Sequence, residues 1–126
     1  MTVAQLAETR AAEPDQVLTK AAIRAARLLK MSNRELAQVL GVSEPTVSRA
    51  ARGAALPATG KALEMAALFV RLYRALDAIT GGDDKVSAAW LRAENAALGG
   101  PPIRAMATAQ GLVGTLAYLD ARRALV

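Results

Sequence analysis

One short segment of the sequence combines hydroxyl and guanidinium side chains, which commonly bind DNA phosphates and base edges. Within it, Arg49 could donate two hydrogen bonds to a guanine, and Arg52 is placed to hold a phosphate. Together with the helix and turn before it, the segment supplies six candidate DNA-binding residues: Arg34, Ser43, Thr46, Ser48, Arg49 and Arg52. These residue types predict recognition of a nucleic acid and not a chemical reaction.

The distribution of charge favours the same interpretation. The chain of 126 residues carries 16 Lys and Arg against 11 Asp and Glu, a net charge of +5. Between Lys20 and Arg52, seven basic residues stand against two acidic ones, so this segment holds the whole positive excess. A basic segment favours a polyanionic partner. The alternative is that the stripe formed by Lys20, Arg24, Arg27 and Lys30 on the first helix is only a solvated face.

The composition argues against an enzyme. Histidine and cysteine are both absent, which excludes a Cys/His zinc site, a thiol nucleophile and an imidazole base. The adjacent carboxylates of Asp83 and Asp84 are interpreted as a helix cap. We therefore predict no catalytic residue, no metal site and no cofactor.

The elements that must position the candidate residues are predicted to be helices. The chain contains 30 alanines and 17 leucines, which lose little side-chain entropy in a helix, and no alternating strand pattern of useful length. Residues 1–13 are weakly periodic and expected to be flexible, either frayed or loosely helical, with a start signal for the first regular helix at Pro14 and Asp15. The predicted helices are 15–31, 33–40, 44–52, 61–80, 84–91, a short one restarted by Pro102, and 109–123. The predicted fold class is all-α, with six or seven helices.

Two of these helices match a helix-turn-helix in length and spacing. Gly41 ends the first of them, and Ser43 caps the second. Ala37 is small where the two helices must cross, and Val47 is expected to face the core. An ordinary αα-hairpin is the alternative, but the outward hydroxyls and arginines favour DNA binding.

The long helix over residues 61–80 is apolar on more than one side. A helix of this kind is either central to a core or part of an interface between subunits. We predict a homodimer, because a small monomer should not be able to hide so wide an apolar surface. The candidate contact residues are Leu68, Phe69, Leu72, Tyr73 and Leu76.

The second half of the chain carries its own ordered motifs. They are a Trp90-Leu91 pair, Asn95, a Leu98-Gly99-Gly100-Pro101-Pro102 turn, and a helix start at Thr108-Ala109-Gln110-Gly111. Over residues 20–119 this order, following a helix-turn-helix, resembles the Xre/MbcA/ParS family of antitoxins. Trp90 is expected to be a core anchor, since a lone tryptophan among small residues is usually buried.

The resemblance implies both an architecture and a function. It implies a helix-turn-helix DNA-binding domain at residues 14–60 and a small helical dimerisation and toxin-binding domain at residues 61–126. It further implies binding of a RES-type toxin, which consumes NAD, by covering the entrance to its active site. Repression of the antitoxin's own operon through operator DNA is the second implied activity.

The expected toxin contact is the carboxyl end of the chain. This end is amphipathic, and it places two adjacent arginines before an apolar pair. The candidate toxin-binding residues are Arg122, Arg123, Leu125 and Val126. The alternative is a frayed terminus with solvated arginines.

Two other functions remain open from the sequence, a stand-alone dimeric repressor and, far less favoured, an enzyme. A neighbouring toxin reading frame would discriminate in favour of the antitoxin. The chain has neither a secretory signal pattern nor an apolar stretch that would span a bilayer, so we expect a cytoplasmic protein with no membrane partner.

Overall fold

The computed structural model describes residues 2–125, without the side chains of residues 6–13. All regular elements in this range are helical, which confirms the predicted fold class. They are α1 (Val3–Leu28), α2 (Asn33–Leu40), α3 (Glu44–Ala51), α4 (Ala62–Ile79), α5 (Asp84–Arg92), a 3₁₀ turn at Ala96–Leu98, α6 (Pro102–Ala105) and α7 (Ala109–Arg123). Within residues 2–125 there is no helix whose length and apolar character would let it cross a membrane.

Helix α1 begins at Val3, so the predicted start of the first regular helix after Pro14 was wrong. A capping box starts the helix: the Thr2 side chain accepts from the Gln5 amide, and the Gln5 side chain accepts from the Thr2 amide. The helix then continues through Pro14. An interior proline removes one helical hydrogen bond and crowds the carbonyl four residues earlier, which is why Pro14 was expected to mark a helix start. The helix nevertheless runs through it, between alanine-rich segments that favour helix.

The helix-turn-helix forms as the sequence predicts. Ser32 accepts from the Glu35 amide at 3.0 Å, and the Glu35 carboxylate accepts from the Ser32 amide at 2.8 Å, which completes a capping box on α2. Gly41 takes the left-handed conformation, φ 69°, that lets the chain leave α2 and enter α3. Val47 is fully buried on the inner side of α3. The outer side of α3 is thereby turned to solvent.

Helix α4 is the centre of the core. Its wide apolar surface is therefore explained by burial within one chain and does not require a second subunit. Helices α1, α2, α5 and α7 all pack against it. As a result Phe69, Leu72 and Leu76 are at most 1% exposed within the single chain. They are therefore hidden by the chain's own helices and cannot form a contact between subunits in this fold.

The other two residues predicted at the dimer contact, Leu68 and Tyr73, are half-buried. The Tyr73 hydroxyl donates to a carboxylate oxygen of Asp84 at 3.0 Å and so joins α4 to α5. Burial, and then this hydrogen bond to Asp84, raises the pKa of Tyr73 to about 12. The phenol therefore stays protonated, and able to donate this bond, throughout the physiological pH range.

The start of α7 lies unusually close to the end of α6. Thr108 caps α7 by accepting from the Gly111 amide at 3.0 Å. A Cβ added at Gly111 would overlap the carbonyl oxygen of Ala105, so only glycine fits there. At Gly114, also in α7, a Cβ would have nothing within 4 Å. The two glycines of the same helix thus differ in the space around them.

We predict that Gly111→Ala lowers the free energy of unfolding by about 1–3 kcal/mol, because α6 and α7 must move apart to admit the methyl group. The matched substitution Gly114→Ala should raise it by roughly 0.5–1 kcal/mol, the ordinary gain of alanine over glycine within a helix. Urea unfolding followed by circular dichroism measures both changes. An equal gain in stability from the two substitutions would contradict the close α6–α7 contact.

Candidate nucleic-acid interface and partner-binding surface

A network of hydroxyl groups organises the start of α3. The Ser43 side chain accepts from the Thr46 amide at 3.2 Å, and the Ser43 and Thr46 hydroxyl oxygens lie 2.8 Å apart. A guanidinium nitrogen of Arg49 then donates to the Thr46 hydroxyl at 3.2 Å. This chain of contacts fixes the first turn of α3 and holds Arg49 along its outer side.

A second contact orients the end of α3. Arg52 donates from one guanidinium nitrogen to the Ser48 hydroxyl at 3.0 Å. Ser48, Arg49 and Arg52 line one open cleft of about 460 Å³, together with Asn33, Glu44 and Pro45. Three of the six candidate residues therefore share one surface, and the hydroxyls of Ser43 and Thr46 adjoin it through Arg49.

The remaining candidate, Arg34, is exposed in the first turn of α2 and lies outside the cleft lining. Asn33, one residue earlier, occupies that edge instead. Asn33 is neither basic nor on α3, so neither its residue type nor its position in the chain signalled that it would join this surface. An asparagine amide can hydrogen-bond both a base edge and a phosphate.

A residue of the second half supports the turn that precedes this surface. Arg92, the last residue of α5, donates to the carbonyl oxygens of Leu29 at 3.0 Å and Lys30 at 2.7 Å. A guanidinium nitrogen of Arg92 also lies 3.4 Å from a carboxylate oxygen of Glu35, which completes the capping box of α2. Helix ends leave their last carbonyl groups unpaired, and a cation there satisfies them and complements the helix dipole. Arg92 therefore ties the second half of the chain to the start of the helix-turn-helix.

The second half presents an aromatic surface of its own. The rings of Trp90 and Tyr118 stack with centroids 6.3 Å apart and planes 20° apart. The Arg122 guanidinium lies 4.9 Å from the centroid of the Tyr118 ring. These three side chains border a cleft of about 260 Å³ between α4, α5 and α7. Trp90 is half-buried: it packs against the core, as the sequence suggested, and also contributes to this surface.

Comparison with known families separates the same two regions. Residues 8–71 match the antitoxin Xre-like helix-turn-helix domain, and residues 75–124 match the antitoxin Xre/MbcA/ParS C-terminal toxin-binding domain. The chain belongs to the Xre-like antitoxin family. A search of curated proteins gave no match.

The two matched ranges of this antitoxin meet inside α4. The antitoxin's helix-turn-helix surface therefore lies in the first range, and the aromatic surface of Trp90, Tyr118 and Arg122 lies in the toxin-binding range. Neither matched family is a family of enzymes.

The candidate toxin-binding residues of the antitoxin lie at and beyond the end of α7. Arg122 and Arg123 are exposed, and Leu125 is 87% exposed. Val126 lies outside the described residues. The structure connects Arg122 to Tyr118, which the sequence analysis did not select. The sequence did contain a signal for this contact, because Tyr118 and Arg122 are four residues apart on one helix and such residues are neighbours on its surface.

Proposed function

We propose that this antitoxin neutralises an NAD-consuming RES-type toxin in the cytoplasm by covering the entrance to its active site, and that it represses its own operon by binding operator DNA. The observation that carries the proposal is the presence, in one chain, of an outward arginine and hydroxyl surface on α3 and a toxin-binding range with an exposed carboxyl end. The order of the Trp90-Leu91, Asn95 and Thr108–Gly111 motifs resembles that of the Xre/MbcA/ParS antitoxins, and the toxin class is what this resemblance implies.

The proposed DNA contact places α3 in the major groove of the operator. In a helix-turn-helix the second helix enters the groove, and its outward residues meet base edges. Arg49 and Arg52 are each held through a single hydroxyl contact, which leaves their other guanidinium N–H groups to reach a guanine or a phosphate. Ser43, Thr46, Ser48 and Arg34 are proposed to contribute hydrogen bonds and phosphate contacts around them.

We predict that Arg49→Ala weakens operator binding by about 1–3 kcal/mol if its guanidinium reads a base, and that the loss depends on the base sequence. Arg52→Ala should weaken binding to all sequences and reduce the steepness of the salt dependence by about one phosphate contact. Gel shifts with the DNA upstream of the antitoxin's own reading frame measure both. If both variants bind the operator with the affinity of the parent, α3 is not the helix that contacts DNA.

The antitoxin is also proposed to be a homodimer, since a two-fold pair of α3 helices would match two operator half-sites about 34 Å apart. Of the residues first considered for the contact, only the half-buried Leu68 and Tyr73 are at all accessible in the single chain. They are the residues of that set that the contact can include.

We predict that light scattering at high protein concentration shows twice the chain mass of 13.1 kDa, and that the mass falls only when dilution dissociates the dimer. A mass equal to that of one chain at every concentration would contradict the dimer.

The proposed toxin contact combines the end of α7 with the tail. Arg122, Arg123 and Leu125 are all exposed there, and Val126 follows them in the sequence. The two guanidinium groups can pair with carboxylates of the toxin, and the apolar pair can enter a pocket at its active-site entrance. Because Arg122 rests on the Tyr118 ring, its charge is presented in a defined position.

We predict that truncation after Asp120 abolishes protection from the toxin while circular dichroism shows a folded chain. In the full-length chain, Arg122→Gln with Arg123→Gln should weaken toxin binding by about thirtyfold or more, as loss of a central arginine contact commonly does. Arg104→Gln, an exposed arginine between α5 and α7, is the matched control and should bind as the parent does. Full protection of cells by the truncated antitoxin would contradict the proposed tail contact.

A further inference from the structure

An open groove of about 630 Å³ separates α1 from the end of α3. Its floor includes Ile23 and Ala50, which are at most 7% exposed. Its rim carries four basic residues, which are Lys20, Arg24, Arg27 and Arg52. The basic stripe of α1, for which the sequence left open a merely solvated face, therefore forms one side of a groove.

Hydrogen bonds fix the two sides of the groove relative to each other. Arg27 donates to the Ala51 carbonyl oxygen at 3.5 Å, which links α1 to the last turn of α3. Thr19, buried in α1, accepts from the Leu56 amide at 3.0 Å and donates to the Asp15 carbonyl oxygen at 2.7 Å. The segment that follows α3 is thereby fixed against α1. A ligand would meet a preformed surface.

The basic rim has no ion-pair partner among the side chains that the structure describes. None of the residues that line the groove in the described part of the chain is acidic. Outside residues 6–13, whose side chains are not described, the ion pairs join Lys61 to Glu64, Arg71 to Asp120 and Arg92 to Glu35, and involve none of the four rim residues. Four like charges around one groove repel one another, so a polyanion placed there would gain free energy from all four.

The groove is continuous with the proposed operator-binding surface. Arg52 lines both the groove and the cleft that contains Ser48 and Arg49. On α1, Lys20, Arg24 and Arg27 follow one another at spacings of four and three residues and span roughly 10 Å of helix. Each DNA strand winds around the helix axis and carries one phosphate per 3.4 Å or so of that axis, so a stripe of this length can meet roughly two of them.

We propose that this groove binds the phosphate backbone of DNA that flanks the bases contacted by α3, with Lys20 and Arg24 as the principal phosphate contacts. The inference rests on the proposed operator binding and extends it. The contact supplies affinity without sequence preference and lengthens the DNA segment that the antitoxin covers beyond the reach of α3.

The test uses Lys20→Gln with Arg24→Gln in the full-length chain. Arg27 is left unchanged because it holds the end of α3. The matched control is Lys85→Gln with Arg104→Gln, which removes the same charge from exposed positions outside the groove. Fluorescence anisotropy measures binding to two duplexes over a series of salt concentrations. One duplex is the smallest upstream fragment whose binding depends on Arg49, and the other adds about one helical turn at each end.

The parent and the control should bind the longer duplex more tightly than the short one, and the groove variant should lose this gain. Two lost phosphate contacts should also reduce the salt slope by about two, so that a fourfold rise in salt costs the variant about twelvefold less affinity than it costs the parent. If the groove variant matches the control in both measurements, the inference about the groove is overturned. The proposal that α3 binds the operator would still stand in that case, provided that Arg49→Ala weakens binding of the operator. If the groove variant keeps parental DNA binding but no longer protects cells from the toxin, the groove binds a protein and the inference is also overturned.

Discussion

Helix α4 has to be covered on every side that carries a large apolar residue, and the rest of the fold follows from how the chain achieves this. Phe69, the only phenylalanine, is fully buried together with Leu72. Burying a side chain of this size is worth about 1.5–3 kcal/mol, which is a substantial part of the stability of a small domain. The cover comes from α1 and α2 of the helix-turn-helix half and from α5 and α7 of the toxin-binding half. Neither half could lose its partner without exposing α4.

This shared core gives the antitoxin one folded unit with two faces. The outer side of α3 and the aromatic surface of Trp90 and Tyr118 belong to different matched families, yet both are built on helices that pack against α4 or its immediate neighbours. Arg92 adds a polar tie by donating to the Leu29 and Lys30 carbonyl oxygens at the turn before α2. A change in the position of α5 would therefore reach the start of the helix-turn-helix through a hydrogen-bonded contact.

Local chemistry made much of this fold predictable, and long-range packing accounts for the rest. Ser32 and Gly41 act through atoms within a few residues, so their caps and turn could be inferred from sequence alone. The start of α1 was placed too late because Pro14 is a local signal for a helix start, whereas the helix capped at Thr2 continues through it. The apolar row of α4 was visible, but whether a second chain or the same chain covers Phe69 depends on contacts with distant helices. The positive charge of Arg52 is likewise evident from the sequence. Its position between the α3 cleft and the α1 groove is not, because that position depends on how α1 and α3 pack.

The central claim is that one chain binds both a toxin and its own operator, and a purification after co-expression tests it most directly. The antitoxin carries an affinity tag and is expressed with the reading frame that neighbours its gene, and the eluted material is then mixed with the upstream duplex. We predict that the neighbouring protein co-elutes, that the cells grow although the toxin is present, and that the eluted complex or the antitoxin alone retards the duplex. Elution of the antitoxin without the neighbouring protein, from cells whose growth remains inhibited, would contradict the claim.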